Sequence, residues 1–147
     1  MPIIQAYCTT FKKQLLEGVH DFRPVAAGGD VFKIALYDET ANLNATTEAY
    51  TSAGEIVAAG YTAGGQILSQ VTPSTYNLSG IMTFQNISWT APVTARGALI
   101  YNTTPAHSYT NPACVVLDFG MMRTVYSGLF TVEFPQDTDA TAVIRIN

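Results

Sequence analysis

The chain has 147 residues and a mass of 15.8 kDa, the size of one compact domain able to bury a hydrophobic core. With 48% hydrophobic and 12% charged residues, the composition excludes a disordered chain and collagen. Seven Lys/Arg against 11 Asp/Glu leave a net charge of −4, too few cations for wide phosphate contacts, which argues against a general nucleic-acid binder.

In chain order, the first signal is helical. Cys8, Phe11, Leu15 and Val19 repeat at helical spacing, with Lys12, Lys13 and Glu17 on the other side. Thr9 or Thr10 is the expected cap, and Gly18 followed by Arg23-Pro24 closes the segment. Residues 1–29 therefore read as an N-terminal arm and helix, and residues 30–147 as the β part of a single domain. Phe32, Ile34 and Leu36 alternate with Lys33 and Tyr37, the pattern of a half-buried strand over residues 31–37. Residues 38–65 carry few large apolar side chains and read as long loops around a short strand at 55–58, with Tyr50 and Tyr61 as anchors. Further strands are expected at 67–71, 76–89, 98–101, 113–119, 123–134 and 141–146, separated by Pro73, Pro92, Pro105, Pro112, Gly120 and Pro135.

In the longest of these, Tyr76, Leu78, Met82 and Phe84 share one parity, while Ile87 and Trp89 take the other. A bulge at Gln85-Asn86, or a bend from one sheet into another, would keep both sets inward. Val115, Leu117 and Phe119 point together, as do Phe130, Val132 and Phe134, and Ala142, Ile144 and Ile146. With no helical segments between strands to make parallel crossovers, the pattern predicts an all-β fold, an antiparallel two-sheet β-sandwich of jelly-roll or Ig-like type, with one short N-terminal helix.

The reactive residue types are sparse. Cys8 and Cys114 sit in no CxxC or Cys/His cluster, so zinc and dithiol redox motifs lack their residues, and a disulfide between the two is left open. His20 and His107 have no second ligand at metal-binding spacing, and His20 reads as a structural histidine near a helix end. No GxSxG elbow frames Ser79 or Ser127, and Gly60, Gly64 and Gly65 do not form a phosphate-binding loop. Asp118 and Glu133 alternate with apolar neighbours and are expected to face solvent, and Asp137-Thr138-Asp139 lacks the rest of a calcium loop. No catalytic, cofactor-binding or metal-binding residue is assigned, and the expectation is a protein that is not an enzyme and needs no cofactor. The N-terminus shows no leader pattern, and no stretch approaches the roughly 18 apolar residues of a membrane span. A membrane partner is not expected. Lys12, Lys13 and Arg23 gather three of the seven cations and, with Tyr50 and Tyr61, are the candidate partner-binding residues; Tyr109 is a further possible contact.

Two segments carry a family resemblance: DVFKIALYDETANLNATTEAYTSAGEIVAAGYTAGGQIL over residues 30–68, and FTVEFPQDTDATAVIRIN over residues 130–147. A strand ending in ALY, a Thr/Ala-rich loop, GYTAGG, and a last strand after the PQDTDA turn resemble virion structural proteins of tailed bacteriophages, most of all head cement or decoration proteins. The resemblance implies a β-sandwich on the capsid exterior that stabilises the shell by bridging subunits of the major capsid protein. It also implies self-association as a homodimer or homotrimer and synthesis in the bacterial cytoplasm, while the charge balance already argues against a nucleic-acid partner. The alternative is a receptor- or carbohydrate-binding module of a tail or head fibre, which would bind a glycan through exposed Tyr or Trp.

Overall fold

The structure is a computed structural model and describes residues 3–135 and 142–147. Asp137, Asp139 and the expected start of the last strand at 141 lie outside the described residues. The chain is mostly β, with one α-helix and antiparallel sheets.

Strand β1 (Ala6–Tyr7) leads directly into helix α1 (Thr9–Leu16). The cap differs from expectation. Cys8 occupies the N-cap position in an extended conformation and makes no side-chain cap, while Thr9 and Thr10 lie inside the helix. The reason is tertiary: the Cys8 side chain is buried, and its N–H donates to the Cys114 carbonyl at 2.9 Å, so the helix start is held by a neighbouring strand. At the other end Gly18 takes φ +70°, and the N–H of Val19 returns to the Gln14 carbonyl at 3.0 Å. Phe11, Gln14 and Val19 are buried, whereas Leu16 is 92% exposed. A single 3-10 turn follows at Val25–Ala27.

Strand β2 (Phe32–Tyr37) lies between β7 (Thr94–Asn102) and the short β3 (Gln66–Ile67). It pairs with β7 without a break from Phe32 opposite Asn102 to Tyr37 opposite Gly97. On its far side β7 pairs with β8 (Ala113–Thr124), and β8 with β1, giving a five-stranded sheet in the order β1-β8-β7-β2-β3. The expected half-buried strand is buried on both faces, with Lys33 alone half-exposed. Residues 38–65 fold back over the Lys33/Tyr37 face: the Ile56 N–H bonds the Leu36 carbonyl at 3.0 Å, and Tyr50 stacks on Tyr101 at 4.8 Å, opposite Lys33 in the ladder.

Residues 76–89 do not form one strand. Strand β4 (Ser74–Tyr76) turns through Asn77, at φ 53°, and Leu78 into β5 (Ser79–Met82). Tyr76 and Leu78 are consequently exposed rather than core, because an even-numbered alternation continues unchanged through a two-residue turn. The shift of parity further on does mark a bend between sheets. Gln85 and Asn86 are exposed between buried Phe84 and Trp89, and the chain leaves β5 for β6 (Ile87–Thr90), which pairs with β9 (Leu129–Val132) in a separate two-stranded sheet. Residues 123–134 likewise split, since β8 runs to Thr124 and turns before β9. Gly120, expected as a break, sits inside β8 with φ +83°. The expected strand at 55–58 reduces to one bridge, Tyr37 to Glu55. Strand β10 (Ile144–Ile146) completes a three-stranded sheet β10-β5-β4, with Ile144 buried and Ile146 exposed.

Aromatic side chains link the five-stranded sheet to the β6–β9 pair and to the segments that flank the strands. Phe22 stacks on Phe32 at 4.3 Å, Phe32 meets Phe84 at 6.1 Å, and Phe84 meets Phe134 at 5.6 Å. Towards the other end Trp89 lies 6.2 Å from Tyr61 and 6.4 Å from Phe130, and Phe130 lies 6.1 Å from Phe119. Such offset and edge contacts add to the burial of large apolar area.

Candidate functional site

The covering loop is held by one carboxylate. Glu55 accepts hydrogen bonds from the Tyr50 hydroxyl (2.6 Å), the Tyr61 hydroxyl (2.7 Å) and the Gly64 N–H (2.7 Å). Tyr61 in turn accepts from the Leu36 N–H of β2 at 2.9 Å, Tyr37 donates to the Thr51 carbonyl at 2.6 Å, and Tyr101 donates to the Gly64 carbonyl at 2.6 Å. Burial raises the phenol pKa of all four tyrosines, and the charge of Glu55 raises them further; Tyr101 is pushed up to about 12. These hydroxyls stay protonated donors across the physiological range. Tyr50 and Tyr61 are half-buried, each with its hydroxyl turned in to Glu55. The GYTAGG sequence is thereby placed: it closes the loop on the sheet.

A second polar group that spacing in the sequence does not reveal lies under the helix. His20 Nε2 meets Gln14 Oε1 at 2.7 Å, and the Asn102 side-chain amide donates both to His20 Nδ1 (3.0 Å) and to Asp30 Oδ2 (2.9 Å). The network assigns the neutral ring, with the proton on Nε2. Burial among Phe11, Phe22 and Phe32 pushes the His20 pKa down to about 4, against the opposing pull of Asp30. Cys114 Sγ stands 3.9 Å from His20 Nδ1, so a cysteine, a histidine, an asparagine and an aspartate share one neighbourhood. The chemistry is that of a packed knot and not of a nucleophile. Cys8 and Cys114 are both free and wholly buried; burial raises the Cys8 thiol to about 11 and holds Cys114 well above the ordinary thiol range. The lone pair of Nδ1 is already engaged by Asn102. Among the described residues no three His, Cys, Asp or Glu side chains are grouped to hold a metal ion.

The remaining candidates lie on the surface. Lys12 and Lys13 are exposed on α1, with Lys13 Nζ 3.5 Å from Glu17, and Arg23 grips Asp21 at 2.6 Å. The structure thus places two of the three cations beside an acid of their own, at Glu17 and Asp21. His107 Nε2 lies 3.1 Å from the Glu17 carbonyl, and the Tyr109 hydroxyl donates to the Glu17 carboxylate at 2.7 Å. Trp89 is 2% exposed, out of reach of a stacking sugar. On the far side, an open groove of about 330 Å³ separates the end of β8 from β9, lined by Phe119, Arg123, Val125, Phe130, Val132 and Glu133. No family model, curated protein or solved structure matches the chain. No helix among the described residues is long and apolar enough to cross a membrane.

Proposed function

We propose that this chain is a structural virion protein that binds the outside of a phage capsid and stabilises it by bridging capsid subunits, a binding and not a catalytic role. The resemblance of residues 30–68 and 130–147 motivates the reading. The observation that carries it is the set of large apolar side chains standing almost fully in solvent at four separate tips: Leu16 at the end of α1, Val57 in the covering loop, Leu78 at the β4–β5 turn and Tyr126 at the β8–β9 turn, each 89% exposed or more. A protein seated among several neighbours can use each such side chain as an anchor, and repetition over a symmetric shell multiplies modest contacts. The antiparallel β-rich fold suits such a module, and the pinned loop makes its surface rigid before binding.

The experiment is to add the purified protein to shells stripped of their cement and measure binding and heat resistance, with Leu78→Ser and Val57→Ser beside the parent. Binding with restored heat resistance, weakened by both substitutions, is the expected outcome. Lys12→Ala/Lys13→Ala should weaken binding mainly at low salt, where the Debye length exceeds about 10 Å. Stripped shells that neither bind the protein nor gain stability would remove this reading.

A further inference from the structure

We infer that the β8–β9 end of the molecule is a self-complementary face that takes a second copy of this chain. Three large apolar side chains stand exposed within nine residues there: Met121 (56%), Tyr126 (89%) and Leu129 (62%). Strand β9 is paired with β6 on one side and has no ladder partner on the other among the described residues. Its outward face carries Leu129 and Thr131, with exposed Glu133 just past its end, while Phe130 and Val132 point into the core. An unpaired strand edge with exposed apolar neighbours is a template for another strand.

Charge selects the occupant. Arg123 and Glu133 both line the groove, both are exposed, and neither takes part in an ion pair among the described residues. Among the described residues Arg123 reaches the Phe119 carbonyl, at 3.5 Å. A groove that carries one cation and one anion, neither ion-paired among the described residues, with exposed apolar side chains nearby on β8, the β8–β9 turn and β9, can complement itself under a two-fold rotation: Arg123 of each copy would meet Glu133 of the other, and Met121, Tyr126 and Leu129 would add apolar contact. A cationic or anionic partner would satisfy one of the two charges and repel the other. This names the surface for the self-association that the shell reading expects, and a dimer formed this way requires no shell.

Sedimentation of the full chain over a concentration series, at low and high salt, tests it with Arg123→Glu, Glu133→Arg and the double exchange. The expected result is a dimer weakened by salt, a dissociation constant raised on the order of tenfold or more by either single reversal, and recovery in the double exchange. Both residues are exposed, so melting temperatures should match the parent; if a reversal unfolds the chain, Arg123→Gln and Glu133→Gln carry the same comparison through the loss of salt dependence. A monomer up to about 100 μM, a trimer, or a dimer indifferent to these charges would each overturn the proposal. A monomer that still binds stripped shells would overturn it while leaving the shell reading in place.

Discussion

Glu55 is the acceptor for two phenols and a backbone N–H, and none of the three donors has a comparable partner if the carboxylate is removed. Leaving partly buried donors unpaired costs more than a hydrogen bond returns when it forms, so Glu55→Ala should cost about 2–4 kcal/mol, measured by urea denaturation, with Glu55→Gln milder because it keeps an acceptor oxygen. Little loss in Glu55→Ala would show that the loop is held by its apolar contacts. His20 makes a pH prediction. Its folded pKa of about 4 lies below the ordinary 6.5, so between these values the unfolded chain binds the extra proton. The contribution of neutral His20 is therefore full above pH 6.5 and is lost as pH falls towards 4. Unfolding free energy should slope downward through that window, and His20→Gln should flatten the slope even though it lowers stability at neutral pH. A parent curve flat from pH 7 to 4.5 would contradict the buried neutral ring.

At the scale of elements, the conformational demand falls on the GYTAGG turn. Gly65 has φ +81°, and a Cβ there would stand 1.7 Å from the Ile34 carbonyl oxygen, inside the backbone of β2. The oxygen belongs to the β2 backbone on its β3 side and cannot move without distorting that strand, so Gly65→Ala should destabilise by more than about 3 kcal/mol and reduce soluble yield. Near-parental melting would mean that the loop can lift off the sheet. Sequence reading placed α1 and the β2 strand well, because helical spacing and strict alternation are local signals. It misread 76–89 and 123–134 as unbroken strands, because a two-residue turn at Asn77-Leu78 preserves parity and Tyr126-Ser127-Gly128 carries no proline.

Across the whole molecule the ends of the chain are tied together by one side chain. The Tyr7 hydroxyl donates to the Val143 carbonyl at 2.8 Å and accepts from the Arg145 N–H at 3.1 Å, linking β1 of the five-stranded sheet to the segment entering β10. Tyr7→Phe keeps the ring but strands both backbone groups, and about 1–3 kcal/mol should be lost. If the sheets unfold as one unit, tryptophan fluorescence at Trp89 and far-UV circular dichroism should shift together in this variant. Separate transitions would show that the five-stranded sheet survives alone.

The sequence by itself determined the β-rich character, the single helix, the central alternation of Phe32, Ile34 and Leu36 and the inward set Phe130, Val132 and Phe134, since each is a periodicity carried by neighbouring residues. Only long-range packing puts Cys8 at the N-cap position of α1, brings Tyr50 and Tyr61 onto Glu55, keeps His20 neutral beside Asn102 and Asp30, and sets Arg123 and Glu133 along one groove. Asn102 and His20 are 82 residues apart, and Arg123 lies on β8 while Glu133 follows the end of β9. Contacts of that kind arise from which strands become neighbours, and strand order is set by burial summed over the whole chain, a quantity that no local pattern contains.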